Sequence, residues 1–245
     1  MPAYRLAAVL LAGTLALGAC VPSYAPLPAP APPPTPAGAP SGAVLPPRVA
    51  AETFLTVVSR VEPVAESYCR ARGVVRNCDF RIVVDDRPGQ PPNAFQTLDR
   101  LDRPVIGFTL ALIADARNAD ELAFVLGHEA AHHIAGHIPK RADQALSGAL
   151  VAGVLAQASG LSAEEVRAAQ NLGAEVAARS YSKEFELEAD ALGAEIALAA
   201  GYDPMRGTGF FDRLPDPGDR FLGSHPPNAA RKATVAATMR RLGAS

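Results

Sequence analysis

The chain of 245 residues lacks any strong excess of one charge, has no internal repeat and carries only three cysteines. A formal net charge of −2 with no basic cluster argues against a nucleic-acid partner, whose phosphates call for a concentrated positive face. Long apolar runs are missing as well. Residues 6–19 are apolar and follow Arg5, but they are too few to span a bilayer comfortably. Residues 144–163 carry no charge, yet Gly148, Gly153, Gly160 and several polar side chains leave few large aliphatics among them. That stretch reads as a small-residue helix packed on the domain or capping a cleft, with shallow membrane contact as the other reading.

The N-terminal segment reads as a secretory signal whose end, Leu17-Gly18-Ala19-Cys20, has the form of a bacterial lipobox, with Cys20 becoming the lipidated first residue. Residues 1–19 are then a signal peptide, and residues 20–47 a lipidated cysteine with a Pro- and Ala-rich tether that includes Pro32-Pro33-Pro34. At roughly 3 Å per residue in polyproline II form, such a tether holds a folded part up to about 80 Å from the lipid. Residues 48–245 suit one domain. The expected location is outside the cytoplasm, anchored by lipid and facing the periplasm, with the outer membrane as the expected host. With Cys20 given to lipid, Cys69 and Cys78 remain, and two cysteines nine positions apart in an exported chain predict a disulfide.

Alternation and β-branched residues predict strands near 80–85, 93–98 and 104–108, after a first helix from about residue 49 to 72 that Pro63 should kink or break. Nearly everything after Thr109 is helical in pattern. The fold class is therefore α+β, mostly helical with a small sheet. Asp99 and Arg103 flank a candidate hairpin, and the strand at Asn93 is a candidate edge for an extended peptide.

What is present in concentration is histidine: four of the five lie within ten residues, from His128 to His137. The first five residues of that run read H-E-x-x-H. On a helix, positions i and i+4 lie one above the other, so His128 and His132 can share one Zn²⁺ while Glu129 sits beside the open coordination position. That is the geometry of metal-assisted hydrolysis, in which a carboxylate takes the proton of the attacking water. The segment has helix signals of its own. Asn118 and Glu121 make an N-cap pair, Leu122, Val125 and Leu126 an apolar stripe, and Pro139 is expected to close it.

A catalytic zinc site needs a third protein ligand. The metzincin position, six residues after His132, is Ile138, and Ala135 stands where that pattern has glycine. The metzincin solution is excluded. A second helix offers Glu184, Glu186 and Glu188. Glu184, Glu188 and Glu195 fall on one charged stripe and read as a solvated face. Glu186 shares its face with Asp190, Gly193 and Ala197, small residues that let another helix come close. Glu186 is the expected third ligand, and Asp190, one turn on, is placed to orient a ligand histidine or to bind an arginine.

Together, H-E-x-x-H-x-x-x-x-H at 128–137, E-x-E-A-D at 186–190, H-P-x-x-x-x-R at 225–231 and Pro92-Asn93-Ala94-Phe95 resemble the HtpX-like and CAAX-prenyl-protease-like zinc metallopeptidases of the gluzincin group, over residues 50–241. The resemblance implies one zinc on His128, His132 and Glu186, with Glu129 as general base. It further implies that Asn93 and His225 assist at the reacting carbonyl and that Arg231 pairs near Asp190. His133 and His137 read as structural, although the family pattern retains His137. Two functions follow from this reading. One is an envelope endopeptidase acting on misfolded or unassembled proteins, with envelope assembly machinery as a partner. The other is a chaperone-like or assembly-factor binding protein of the same fold.

Overall fold

A computed structural model of the protein describes residues 43–180, 182–216 and 226–244. The signal segment, Cys20, most of the tether and His225 lie outside them.

Helix α1 (Pro47–Arg72) opens on a proline, whose missing N–H has no partner to lose in a first turn, and buries Ala50, Phe54, Val57, Val61, Ala65 and Cys69 along one stripe. Gly73, at φ 62°, stops it by returning its N–H to the Cys69 carbonyl. Of the kink or break expected at Pro63, the break does not occur, since α1 runs through it as one helix. Pro63 lies on the exposed side, as does Ser59 four residues back, so water can reach the carbonyl left without a partner. Cys69 is bonded to Cys78, which staples the end of α1 to the approach to the sheet.

Strands β1 (Arg81–Asp85), β2 (Ala94–Leu98) and β3 (Pro104–Thr109) form one sheet in the order β1-β3-β2, with β1 parallel and β2 antiparallel to β3. The central strand is the buried one, with Ile106 and Phe108 in the core. Gly107 faces Phe95 across the ladder, and a Cβ there would sit 2.2 Å from the Phe95 ring. Asp99 closes the hairpin. Its carboxylate accepts from the N–H groups of Leu101 and Arg103, while its own N–H donates to the Arg103 carbonyl. These pairings leave β2 at the sheet edge.

The helical majority follows. Thr109 caps α2 (Leu110–Asp115), and Asn118 caps α3 (Ala119–Ile134) by accepting from the Glu121 N–H. Buried along nearly its whole length, α3 ends because Gly136 adopts φ 68°. Pro139 is not its terminator; it lies in the first turn of α4 (His137–Ala158), where a proline is tolerated.

The uncharged stretch folds as the body of α4 and packs against α5 (Ala163–Ser180). Gly148 and Gly173 meet there so closely that a Cβ on either would lie 2.3–2.4 Å from the other's carbonyl oxygen. The small residues of α4 thus face inward, while Leu146, Leu150 and Val154 stay exposed. No helix among the described residues is long and apolar enough to cross a membrane.

Helix α6 (Ser182–Ala199) packs along α3; α7 (Pro204–Gly207), a 3-10 turn (Thr208–Arg213) and α8 (Asn228–Arg241) complete the body. At the α3–α6 crossing, a Cβ on Gly127 would stand 2.6 Å from the Gly193 carbonyl oxygen, and one on Gly193 would stand 2.7 Å from the His128 nitrogen. A methyl group there has no room. Gly193→Ala should lower stability by about 1–3 kcal/mol through forced helix separation, visible as an earlier denaturant midpoint; an unchanged midpoint would contradict so close a crossing.

Candidate metal centre

His128 and His132 lie one turn apart on α3, and Glu186 stands in the first turns of α6 facing them; one ligand atom of each falls within 4.8 Å of the others. The two Nε2 atoms are 3.0 Å apart, and the Glu186 carboxylate oxygens lie 3.5 Å from His128 Nε2 and 3.3 Å from His132 Nε2. Donors bonded at about 2.1 Å to one tetrahedral ion are about 3.4 Å apart. Two nitrogens and one oxygen at these separations fit Zn²⁺, and three protein donors leave its fourth position open.

Behind His128 stands Asp190, fully buried, with its Oδ1 2.9 Å from His128 Nδ1. A carboxylate only accepts, so Nδ1 carries the proton and Nε2 is left for a metal. Arg231 of α8 donates two bonds to the same carboxylate, at 2.7 and 2.6 Å, and its guanidinium lies 4.1 Å above the Phe211 ring. Burial would raise the Asp190 pKa, but the hydrogen bonds from His128 and Arg231 outweigh it and hold the group below the usual carboxylate range. Burial likewise opposes charge on His128, and the carboxylates of Asp190 and Glu186 overcome it, lifting this imidazole to about 10.

A cleft of about 860 Å³ opens onto these groups. Glu129 lines it beside His128, His132, Glu186 and Arg231, while Asn93, Ala94 and Gln96 from the β2 edge line it too. The Asn93 backbone is clamped by Thr109, whose hydroxyl accepts the Asn93 N–H at 2.9 Å. The base of the α4–α5 pair contributes Ile138, Arg141, Ala178 and Arg179. His225 lies outside the described residues.

Of the other two described histidines, His137 lines the same cleft and His133 does not. His133 Nε2 donates to the Asn77 carbonyl at 2.6 Å, its ring edge-on to Phe80, and burial lowers its pKa. It ties α3 to the loop closed by the disulfide. His137, 2% exposed, stacks on Phe185 with ring centroids 4.4 Å apart and approaches His132 on one side and Glu188 on the other. Burial pushes it well below the usual histidine range.

The Glu184, Glu188 and Glu195 stripe is therefore not simply solvated: Glu188 accepts from His137, and Glu195 binds Arg241 at 2.7 Å. Helical phase locates a face but not the neighbours that arrive at it. Phe211, which supports Arg231, carries no sequence signal of its role.

Residues 56–239 match the model of Peptidase family M48. The chain belongs to peptidase family M48. Zinc metallopeptidases make up this family, and the matched span contains every group of the centre described above. The chain is also similar to a protein of Vibrio cholerae serotype O1 that carries the provisional name beta-barrel assembly-enhancing protease, 29% identical over 126 residues. That match covers 47% of this chain and 25% of the relative, so the chain spans about a quarter of that protein's length.

Arg231→Met should leave the buried Asp190 with His128 as its remaining partner and no guanidinium, costing about 3 kcal/mol of stability and about 10- to 100-fold in zinc affinity. Denaturant melts and chelator competition measure the two effects; wild-type values in both would detach Arg231 from the centre.

Proposed function

We propose that this M48 protein is a zinc-dependent endopeptidase of the bacterial cell envelope, held at a membrane by lipid on Cys20 and acting on misfolded or unassembled envelope proteins. The observation that carries the peptidase reading is the convergence of His128, His132 and Glu186 on one point, with Glu129 beside them in an open cleft. Zinc, when bound, supplies Lewis acidity toward water and the scissile carbonyl.

The chain's own residues do the rest. Glu129 takes a proton from the attacking water and returns it to the leaving amine. Asp190, held by Arg231, keeps His128 aimed. The outer edge of β2 offers backbone groups along which an extended peptide can lie as an added strand, so that its carbonyl enters between Asn93 and the metal ligands. In this reading Asn93 and His225 steady the charge that develops on that carbonyl.

The envelope setting is supported by the lipobox-like Leu17-Gly18-Ala19-Cys20 and by the assembly-related name of the Vibrio relative. A purely binding role on the same fold has less behind it, because the ligand and base set is complete.

Glu129→Gln should keep zinc and fold while losing about 10²-fold or more of peptide hydrolysis, since an amide keeps the shape but cannot accept the proton. Turnover like the wild type's would remove Glu129 from the mechanism. For the anchor, a Cys20→Ala variant should leave the membrane fraction for the soluble one; continued membrane association would argue against lipid on Cys20.

A further inference from the structure

We propose that Glu188 and His137 act as a positioning relay for His132, fixing its tautomer and its aim at the metal. The proposal rests on the zinc reading above. His128 has a carboxylate directly behind it, whereas among the described residues the rear nitrogen of His132 meets an imidazole. Nδ1 of His132 lies 2.8 Å from Nδ1 of His137, and Nε2 of His137 lies 3.2 Å from a Glu188 oxygen.

Proton accounting gives this chain one direction. If His132 ligates through Nε2, the atom that faces Glu186 and His128, its only ring proton sits on Nδ1 and must be donated to His137. His137 then accepts at Nδ1, carries its own proton on Nε2, and donates that proton to Glu188, which as a carboxylate can only accept. Each nitrogen and oxygen along the path has one role, and reversing any bond would leave two donors or two acceptors face to face.

The mechanical support is equally defined. His137 is 2% exposed, stacked on Phe185 and placed at the start of α4 immediately after the left-handed Gly136. That turn brings the ring back toward α3 five residues after His132. The structure thus gives both imidazoles a carboxylate, one direct and one through an intervening ring. Both carboxylates belong to α6, as does the third ligand.

The test is zinc affinity of the full chain by competition with a chromophoric chelator, together with the histidine tautomers read from ¹⁵N chemical shifts. His137→Phe keeps a ring over Phe185 but offers no acceptor, and it should weaken zinc binding by about 10- to 100-fold and release His132 from its single tautomer. His137→Asn places an oxygen near the lost Nδ1 but gives up the Nε2 donor to Glu188, so it should lose about as much affinity as Glu188→Ala and less than His137→Phe. Glu188→Ala should weaken binding too, and should add nothing once His137→Phe is present. Because Glu188 is partly exposed, this variant carries the test should His137→Phe fail to fold. Wild-type affinity in His137→Phe or in Glu188→Ala, equal losses in the Asn and Phe variants, or additive losses in the double variant would each overturn the relay while leaving the zinc reading intact. Failure of the wild type to take up zinc at all would overturn both.

Discussion

The approach of two helix backbones at Gly127 and Gly193 governs the rest of this structure. A metal cluster assembled from separate helices needs its donors within a few tenths of an ångström of a tetrahedral edge, so the distance and crossing of the helices that carry them must be closely fixed. Removing both Cβ atoms from the contact lets α3 and α6 touch through backbone atoms. The i, i+4 pairs on each helix, His128 with His132 and Glu186 with Asp190, then face each other over little more than one turn. The three ligand atoms meet because the helices do.

Such an arrangement concentrates charge in a place that water barely reaches, and the fold answers each buried carboxylate with a cation or a donor. Asp190 receives Arg231 and His128. Glu121, near the start of α3, receives Arg213 at 2.9 and 2.7 Å, and the same arginine also reaches Asp115. A buried pair of this kind adds little net stability but is costly to break, since one unpaired charge remains. These pairs bind α8 and the 3-10 turn to the helices that carry the ligands. What they supply is alignment more than adhesion.

Much of this was legible in the chain, and the legible parts share a cause. The H-E-x-x-H helix with its Asn118 cap, the three strands, the cysteine pair and the α6 face that holds Glu186 with Gly193 are all set by local spacing. Features that depend on what packs from elsewhere were hidden. Glu188 reads as solvated because its own helix says nothing of the imidazole that α4 brings to it. Pro139 reads as a stop because the left-handed turn at Gly136 already supplies one. Pro63 reads as a break, yet its lost hydrogen bond faces solvent. The parallel pairing of β1 with β3, neighbours in the sheet although β2 lies between them in the chain, leaves no trace in either segment.

The place of Arg231 in chain order has a consequence for how the protein is made. The histidines, Glu186 and Asp190 are all synthesised before the one guanidinium that neutralises Asp190, and α8 follows Glu186 by some forty residues. A chain still emerging from the ribosome, or cut before α8, has His128 but not Arg231 to answer the Asp190 carboxylate, so burying that group at the α3–α6 contact costs more than in the finished fold. Alignment of the three candidate ligands is thereby tied to completion of the fold. The Arg231–Asp190 ion pair is thus the last contact behind His128 that synthesis makes available.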